Sequence, residues 1–254
     1  MSQRTVYSDP SLKRRRTLNR YLDLPKFVDF LRTKELHLES ASKFTDHMEG
    51  TLPELIRHDF SETPDIIKSL DNISILELER KNKNRTNLSC WTSGTKDNMA
   101  LWKIYGGSKE SVAISTTVER MIASAFNWLK FGRVKLIKVR YIDHAGRLPN
   151  GVYALDENVF ALKHKAYFYE KEVRVVLTRP NNTAPYPIRL PVSINKLITK
   201  ITVAPEAEEW FFKLVIDLTK KYSVSVPVKR SDLAFLIDKA KRHSTHAGQQ
   251  PLAL

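Results

Sequence analysis

The stretch 134–142, Val-Lys-Leu-Ile-Lys-Val-Arg-Tyr-Ile, alternates apolar and polar side chains almost without a break. A period of two sends successive side chains to opposite faces, so this segment reads as a strand with one buried face. Shorter segments of the same character lie at 36–40, 87–93, 111–115, 172–178, 188–192, 198–203 and 224–228. Between them the apolar spacing changes to that of a helix, at 24–36, 97–105, 118–128, 156–165 and 205–222. Glycine is scarce, with 8 in 254 residues, and no strand–helix–strand unit with a glycine-rich turn repeats along the chain. Helices and strands mixed without that unit imply an α+β fold with mainly antiparallel strands in a single domain.

Local punctuation supports these elements. Pro25 sits at the start of the first helix, and Pro53 opens a short one with Leu52, Leu55 and Ile56 inward. Thr63-Pro64-Asp65 reads as a cap, a proline at the first helical position and an acid in the first turn. Gly106-Gly107 ends the helix at 97–105, and Thr116-x-x-Glu119 has the spacing of a capping box. The helix at 205–222 carries Pro205 and Glu206, Glu208 and Glu209 at its start and Lys220-Lys221 at its end, as the helix dipole favours.

Charge narrows the partners. Lys+Arg is 42 and Asp+Glu is 28, giving a formal net charge of +14. The excess is clustered. Arg4, Lys13, Arg14, Arg15 and Arg16 fall in a stretch 1–17 that reads as a flexible basic arm, and Lys81, Lys83 and Arg85 form a second group. Lys239, Lys241 and Arg242 form a third, inside a basic tail over 238–254 that reads as disordered, which leaves 18–237 for the folded domain. Such a surface attracts polyanions by counterion release, so a nucleic-acid partner is expected. No helix-turn-helix, zinc-finger or RNP signature is present, which points to contacts with the backbone. No apolar run reaches the roughly 18 residues of a membrane span, and 1–16 has no apolar core of a signal peptide, so no membrane role and a cytoplasmic location are expected. Cys90 is the single cysteine, which excludes an internal disulfide and a cysteine-built zinc site. No metal is expected.

The common phosphate-loop, dinucleotide, zincin and serine-hydrolase motifs are absent. The histidines, at 37, 47, 58, 144, 164, 243 and 246, are scattered. Three polar segments stand out instead. One runs from Arg20-Tyr21 to Ser40-Ala-Ser-Lys-Phe-Thr-Asp46-His-Met-Glu49-Gly50. A second is Cys90-Trp-Thr-Ser93 with Leu101-Trp102-Lys-Ile-Tyr105-Gly106. The third is Lys163 followed by Tyr167-Phe-Tyr-Glu170-Lys-Glu172-Val-Arg174. In the third, Glu170, Glu172 and Arg174 alternate with apolar neighbours at the head of a strand and share one face, where the arginine offsets the repulsion between the acids. A surface ion-pair ladder has the same pattern.

Together the three segments resemble a bacterial family catalogued as domain of unknown function 2971. The resemblance covers roughly 18–235. Its phrases are matched here by Leu36-His-Leu-Glu-Ser40-Ala-Ser-Lys-Phe44-Thr-Asp46-His-Met-Glu49, by Cys90-Trp91-Thr92, by Leu101-Trp102-Lys-Ile-Tyr105, by Ser111-Val-Ala-Ile114 and by Val139-Arg-Tyr141. The most specific is the last, a Lys…Trp-x-Tyr-Glu-x-Glu-Trp-Arg motif, which appears as Lys163…Tyr167-Phe-Tyr169-Glu170-Lys-Glu172-Val173-Arg174. Both tryptophans of that motif are replaced, by Tyr167 and Val173, and Thr45-Asp46-His47 stands where the family has Asn-Asp-Pro.

The order of these motifs is also similar to that of the ADP-ribosyltransferase fold, which implies a split sheet with flanking helices and NAD as substrate. Carried across, Arg20 and Tyr21 would hold the adenosine side of NAD, with Ser40, Ser93 and Trp102 further contacts to it. Tyr105 would stack on nicotinamide, and Glu172 would be the catalytic carboxylate with Glu170 beside it. Lys163, Arg174 and Asp46 would touch the acceptor. The chemistry suits these residue types. Breaking the ribose–nicotinamide bond passes through an oxocarbenium-like state that a carboxylate stabilises. The resemblance thus implies transfer of ADP-ribose to a nucleic acid, RNA foremost, in a bacterial toxin or anti-phage setting with an antitoxin or inhibitor protein as partner. Two other readings remain open from the residues: a non-catalytic nucleic-acid-binding module on a degenerate version of the fold, and a transferase that modifies protein.

Overall fold

In chain order the strands are β1 (Tyr7–Ser8), β2 (Thr17–Asp23), β3 (Glu35–Ser40), β4 (Thr86–Ser93), β5 (Ser111–Thr117), β6 (Arg133–Lys138), β7 (Arg140–Ile142), β8 (Leu162–His164), β9 (Glu172–Thr178), β10 (Ile188–Pro191), β11 (Lys200–Val203) and β12 (Val228–Arg230). The helices are α1 (Leu24–Thr33), α2 (Ile75–Arg85), α3 (Met99–Leu101), α4 (Val118–Ala125), α5 (Ile194–Leu197) and α6 (Glu209–Lys221). These come from a computed structural model that describes residues 5–46, 48–51, 75–107, 109–143, 156–180 and 185–234. The helices expected at Pro53 and Thr63, the histidines at 47, 58, 144, 243 and 246, and the tail over 238–254 with Lys239, Lys241 and Arg242 lie outside the described residues.

Among the described residues, ten strands join in one sheet, ordered β1-β6-β9-β4-β2-β5-β11-β12, with β3 and β10 as a side branch from β4. Pairing is antiparallel except for β1 with β6 and β11 with β12, so the expected α+β class with mainly antiparallel strands is what the chain forms. β9 runs between β6 and β4 and is buried along its whole length. One face of the sheet carries the larger core, with Leu18, Trp91, Ile114, Leu136, Val173, Val175 and Leu177 against Phe27 and Leu31 of α1 and Val118 and Met121 of α4. On the other face, Leu88, Ile137 and Val176 pack with Val159, Phe160 and Leu162.

The sheet forks at β4. Its edge away from β9 pairs with β3 at Asn87 and Leu88 and with β2 at Thr92 and Ser93. Ser89, Cys90 and Trp91 have no ladder partner on that edge among the described residues. Arg20 fills the gap, donating to the His37 carbonyl at 3.1 Å and the Ser89 hydroxyl at 2.8 Å. One guanidinium thus replaces part of the hydrogen bonding that a continuous ladder supplies.

Several elements depart from the sequence expectation, each for a reason visible in the structure. The strand expected at 134–142 breaks at Val139. β9 begins at Glu172, so the ladder ends one residue after Lys138 pairs with Val173, with the Val139 N–H donating to the Glu172 carbonyl at 3.0 Å. The chain continues as β7, parallel to β8 in a separate pair. The helix expected at 156–165 is a 3₁₀ segment, Asp156–Ala161, leading into β8, because Val159, Phe160 and Leu162 all bury in the second core. At 97–105 the cap is Asn98, and a single α turn widens into a π turn, Trp102–Gly106, closed by Gly107 at φ 74°. Thr117 rather than Thr116 caps α4, since the Thr116 hydroxyl is drawn to the Leu197 carbonyl at 2.6 Å. α6 starts at Glu209, after a turn at Pro205-Glu206.

Of the stretch 1–17, residues 5–17 are described, and they run along the sheet rather than away from it. Tyr7 and Ser8 pair with Lys135 and Leu136, and the Arg16 guanidinium donates to Ser93 at 2.7 Å, while Lys13, Arg14 and Arg15 stay exposed. No helix among the described residues is long and apolar enough to cross a membrane.

Gly132 shows how closely the last turn before β6 approaches β9. A Cβ there would stand 2.3 Å from the Thr178 carbonyl oxygen, at a φ of 157°. Backbone cannot swing away as a side chain can, so Gly132→Ala should cost about 1–3 kcal/mol, read as a lower denaturant midpoint at unchanged slope.

Candidate active site at the fork

The fork opens a hollow of about 230 Å³ on the sheet. β2 contributes Asn19, Arg20 and Tyr21, β3 contributes Glu39, and β4 contributes Cys90, Trp91 and Thr92. Tyr105 and the pair Glu170 and Glu172 complete the wall. A second hollow of about 390 Å³, toward α1, shares Arg20, Leu22, Lys26 and Glu39 with the first and adds His37, Asp29 and Arg189. Arg20 therefore stands at the junction of two adjoining spaces whose combined size is that of an ordinary ligand pocket, roughly 300–1,000 Å³.

The acid pair is held by a buried ion network. Lys165–Glu170 is a 3₁₀ segment whose end residue, Lys171, takes a left-handed conformation at φ 46°, which turns the chain sharply into β9. Glu170 and Glu172 arrive on the same wall, 4% and 5% exposed. The Arg174 fork clasps Glu172, with Nε 3.0 Å from Oε1 and Nη2 2.9 Å from Oε2. On its other side Arg174 holds both oxygens of Glu49 and the Phe160 carbonyl. Lys163 Nζ lies 2.5 Å from Glu170 Oε2 and 3.4 Å from Glu172 Oε2. The Tyr105 hydroxyl donates to Glu170 Oε1 at 2.6 Å across 65 residues of sequence. The backbone N–H of Glu172 donates to the Tyr141 hydroxyl at 2.8 Å.

This network sets the charge states. Burial works against an ionised Glu172, but Arg174 and then Lys163 outweigh it and bring its pKa down to about 2. Glu49 goes the other way: burial, the largest influence, leaves its pKa raised despite Arg174. Burial also opposes charge on Lys163, yet Glu172 and Glu170 leave its pKa above the usual lysine value. Burial, with Glu170 beside it, pushes the Tyr105 hydroxyl well up, and Tyr21 is raised to about 12 mainly by burial. The Cys90 thiol is raised well above its ordinary value by burial and by Glu172, so it remains a neutral thiol. Glu172, with its native pKa below the usual 4.5, supports stability above pH about 4.5 and loses that support as pH falls toward 2. The stability gap between wild type and Glu172→Gln, measured by urea unfolding, should therefore narrow steadily across that window.

The sequence-derived residues separate into two groups. Arg20, Tyr21, Tyr105, Glu170 and Glu172, from distant parts of the chain, line one hollow. The others do not. Arg174, expected to touch the acceptor, is completely buried and occupied by Glu49, Glu172 and Phe160. Ser93 faces the other side of β4 and binds Arg16, whereas its neighbour Thr92, opposite Glu172 in the ladder, lines the hollow. Ser40 is fully buried beside Ser42, and the adjacent Glu39 supplies the wall. Trp102 is spent on Asp97 through its indole N–H at 2.9 Å and on the edge of Tyr21, with ring centroids 4.8 Å apart. Asp46 accepts from the Met48 N–H within its own turn. Lys163 stands behind the acid pair instead of lining the hollow. Nothing in the sequence marks Glu49 as part of the site, although it ends the family-like phrase at 36–49 and its partner Arg174 ends the last motif. Among the described residues, no group of three or more His, Cys, Asp or Glu is placed to hold a metal ion.

No family model matches the chain, and no curated protein does. Among solved structures, Thermus sp. 2.9 DarT in complex with NAD+ matches over 87% of this chain and 97% of that one, at 12% identity and a TM-score of 0.40. A likeness this distant leaves the functional reading to the geometry of the site itself.

Proposed function

We propose that the hollow at the fork binds NAD, breaks its bond to nicotinamide and passes ADP-ribose to a nucleic acid, RNA foremost. The observation that carries this reading is the meeting of Arg20, Tyr105, Glu170 and Glu172 on one cavity, although up to 152 positions separate them in the sequence. Each brings a part the reaction needs. The arginine offers donors for a pyrophosphate oxygen at the junction of the two hollows. Tyr105 presents an aromatic face, 43% exposed, for a flat pyridinium ring.

Glu172, ionised at neutral pH, stabilises the positive charge that develops on the ribose carbon as the bond to nicotinamide lengthens. The bonding electrons leave with the pyridinium nitrogen, which departs as neutral nicotinamide. The acceptor's oxygen or nitrogen forms the new bond to that carbon, and its proton passes to Glu170 as general base. Two acids, Glu170 and Glu172, line the hollow while Lys163 and Arg174 stand behind them, an arrangement that suits a cationic nicotinamide.

The exposed surface next to the acid pair in the chain suits a polyanionic acceptor. Phe168 and Tyr169 stand 63% and 38% exposed just before Glu170, with exposed Lys165, Lys171, Lys138 and Arg140 on neighbouring segments. Aromatic faces among lysines and arginines suit single-stranded nucleic acid, by stacking and by charge. Incubation with NAD labelled in the adenylate, followed by separation of RNA, DNA and protein, tests the reading. Label on RNA together with released nicotinamide is expected; label on protein alone, or no nicotinamide, would overturn it.

A further inference from the structure

We propose that Lys163 is a positioning residue that holds Glu170 and Glu172 side by side, its ammonium the wedge that offsets the repulsion between the two carboxylates. What the two acids do rests on the transferase reading above; how they are held does not.

Lys163 is 8% exposed, and it faces the two carboxylates from behind the cavity wall. Its ammonium spends one donor on Glu170 Oε2 at 2.5 Å and another on Glu172 Oε2 at 3.4 Å. The ring of Tyr167 covers it, with the centroid 4.6 Å from Nζ. The short parallel pair of β7 and β8 places it there. Lys163 is in register with Tyr141, whose hydroxyl accepts the Glu172 N–H, so one ladder aligns the cation and the backbone of the acid it serves.

The charge count explains why a cation is needed. From every element packed on this spot come Glu170 and Tyr167 of the 3₁₀ segment, Glu172 and Arg174 of β9, Glu49 of the 48–51 turn, Cys90 of β4, Tyr105 and Tyr141. Arg174 is taken up by Glu49 and Glu172 and does not reach Glu170 among its hydrogen bonds. Without Lys163, three buried carboxylates would face one cation, and like charges in so little water share a proton. A carboxylic acid in that pair neither stabilises an oxocarbenium charge nor accepts a proton.

Two measurements test this on Lys163→Met and Lys163→Arg. The first is the pH profile of nicotinamide release. The acid limb of Lys163→Met should move up by about 1–2 pH units relative to wild type, while Lys163→Arg stays near wild type. The second needs no activity. A native carboxyl whose pKa rises above its unfolded value gives stability that is lost as pH climbs through the raised value. The stability deficit of Lys163→Met against wild type should therefore grow from pH 5 to pH 8. An activity profile lowered without displacement, or a deficit of equal size at both pH values, would overturn the proposal. If the wild-type protein does not cleave NAD, the transferase reading fails and the stability measurement alone decides the role of Lys163. Should Lys163→Met not fold, Lys163→Gln takes its place in both measurements.

Discussion

Glu172→Gln should lower the rate of nicotinamide release from NAD by about 10²–10³-fold or more, with a much smaller change in NAD affinity. The size follows from removing one preorganised charge at the point where positive charge develops. The asymmetry follows from its being needed most in the transition state, so kcat falls and KM changes little. The amide keeps an oxygen for Arg174 but turns an N–H₂ toward Lys163 and Arg174, both donors only. Some stability is lost as well, since breaking a buried pair costs about 3–5 kcal/mol. Rates must therefore be compared well below the unfolding temperature, with circular dichroism confirming the fold. Equal rates for the two proteins would remove Glu172 from the reaction.

Arg174→Met should be the most destabilising change in the site. The guanidinium is fully buried and satisfies Glu49, Glu172 and the Phe160 carbonyl together. Its loss leaves two carboxylates without their main cation in the protein interior, at about 3–5 kcal/mol or more. At roughly 2–4 °C per kcal/mol for a chain of this size, calorimetry should show a Tm lower by about 6–20 °C. Arg174→Lys should recover little, because a single ammonium cannot span both acids as the planar fork does. The deficit should shrink at acid pH, where protonated carboxyls no longer need the cation. A Tm within about 2 °C of wild type would mean that the network is not what holds this wall.

The sequence made local order legible. The strand expected at 172–178 has those bounds in the structure, and the shared face of Glu172 and Arg174 follows from its period of two. The same period does not tell depth. Arg174 reads equally well as a substrate contact or as an internal brace, and only the packing of Glu49 and Phe160 over it decides. Ser93 and Thr92 differ by one position, which on a strand means opposite faces, and the choice depends on which face meets Glu172 across the ladder. The fork itself is a nonlocal event. It requires β2 and β3 to part along β4, between residues 47 to 75 apart in sequence, and no periodicity carries that information. The break at Val139 has the same origin, since it depends on where β9 begins. Glu49 was obscured because a single acid in a turn carries no period at all.

Where NAD sits is read from a crystal of the protein soaked with NAD, or with ADP-ribose and nicotinamide. Density is expected in the hollow at the fork, with the nicotinamide ring on Tyr105, the pyrophosphate at Arg20 and the ribose carbon that bears nicotinamide in NAD facing Glu172. Density elsewhere on the molecule, or an empty fork at a ligand concentration that saturates binding in solution, would contradict that placement.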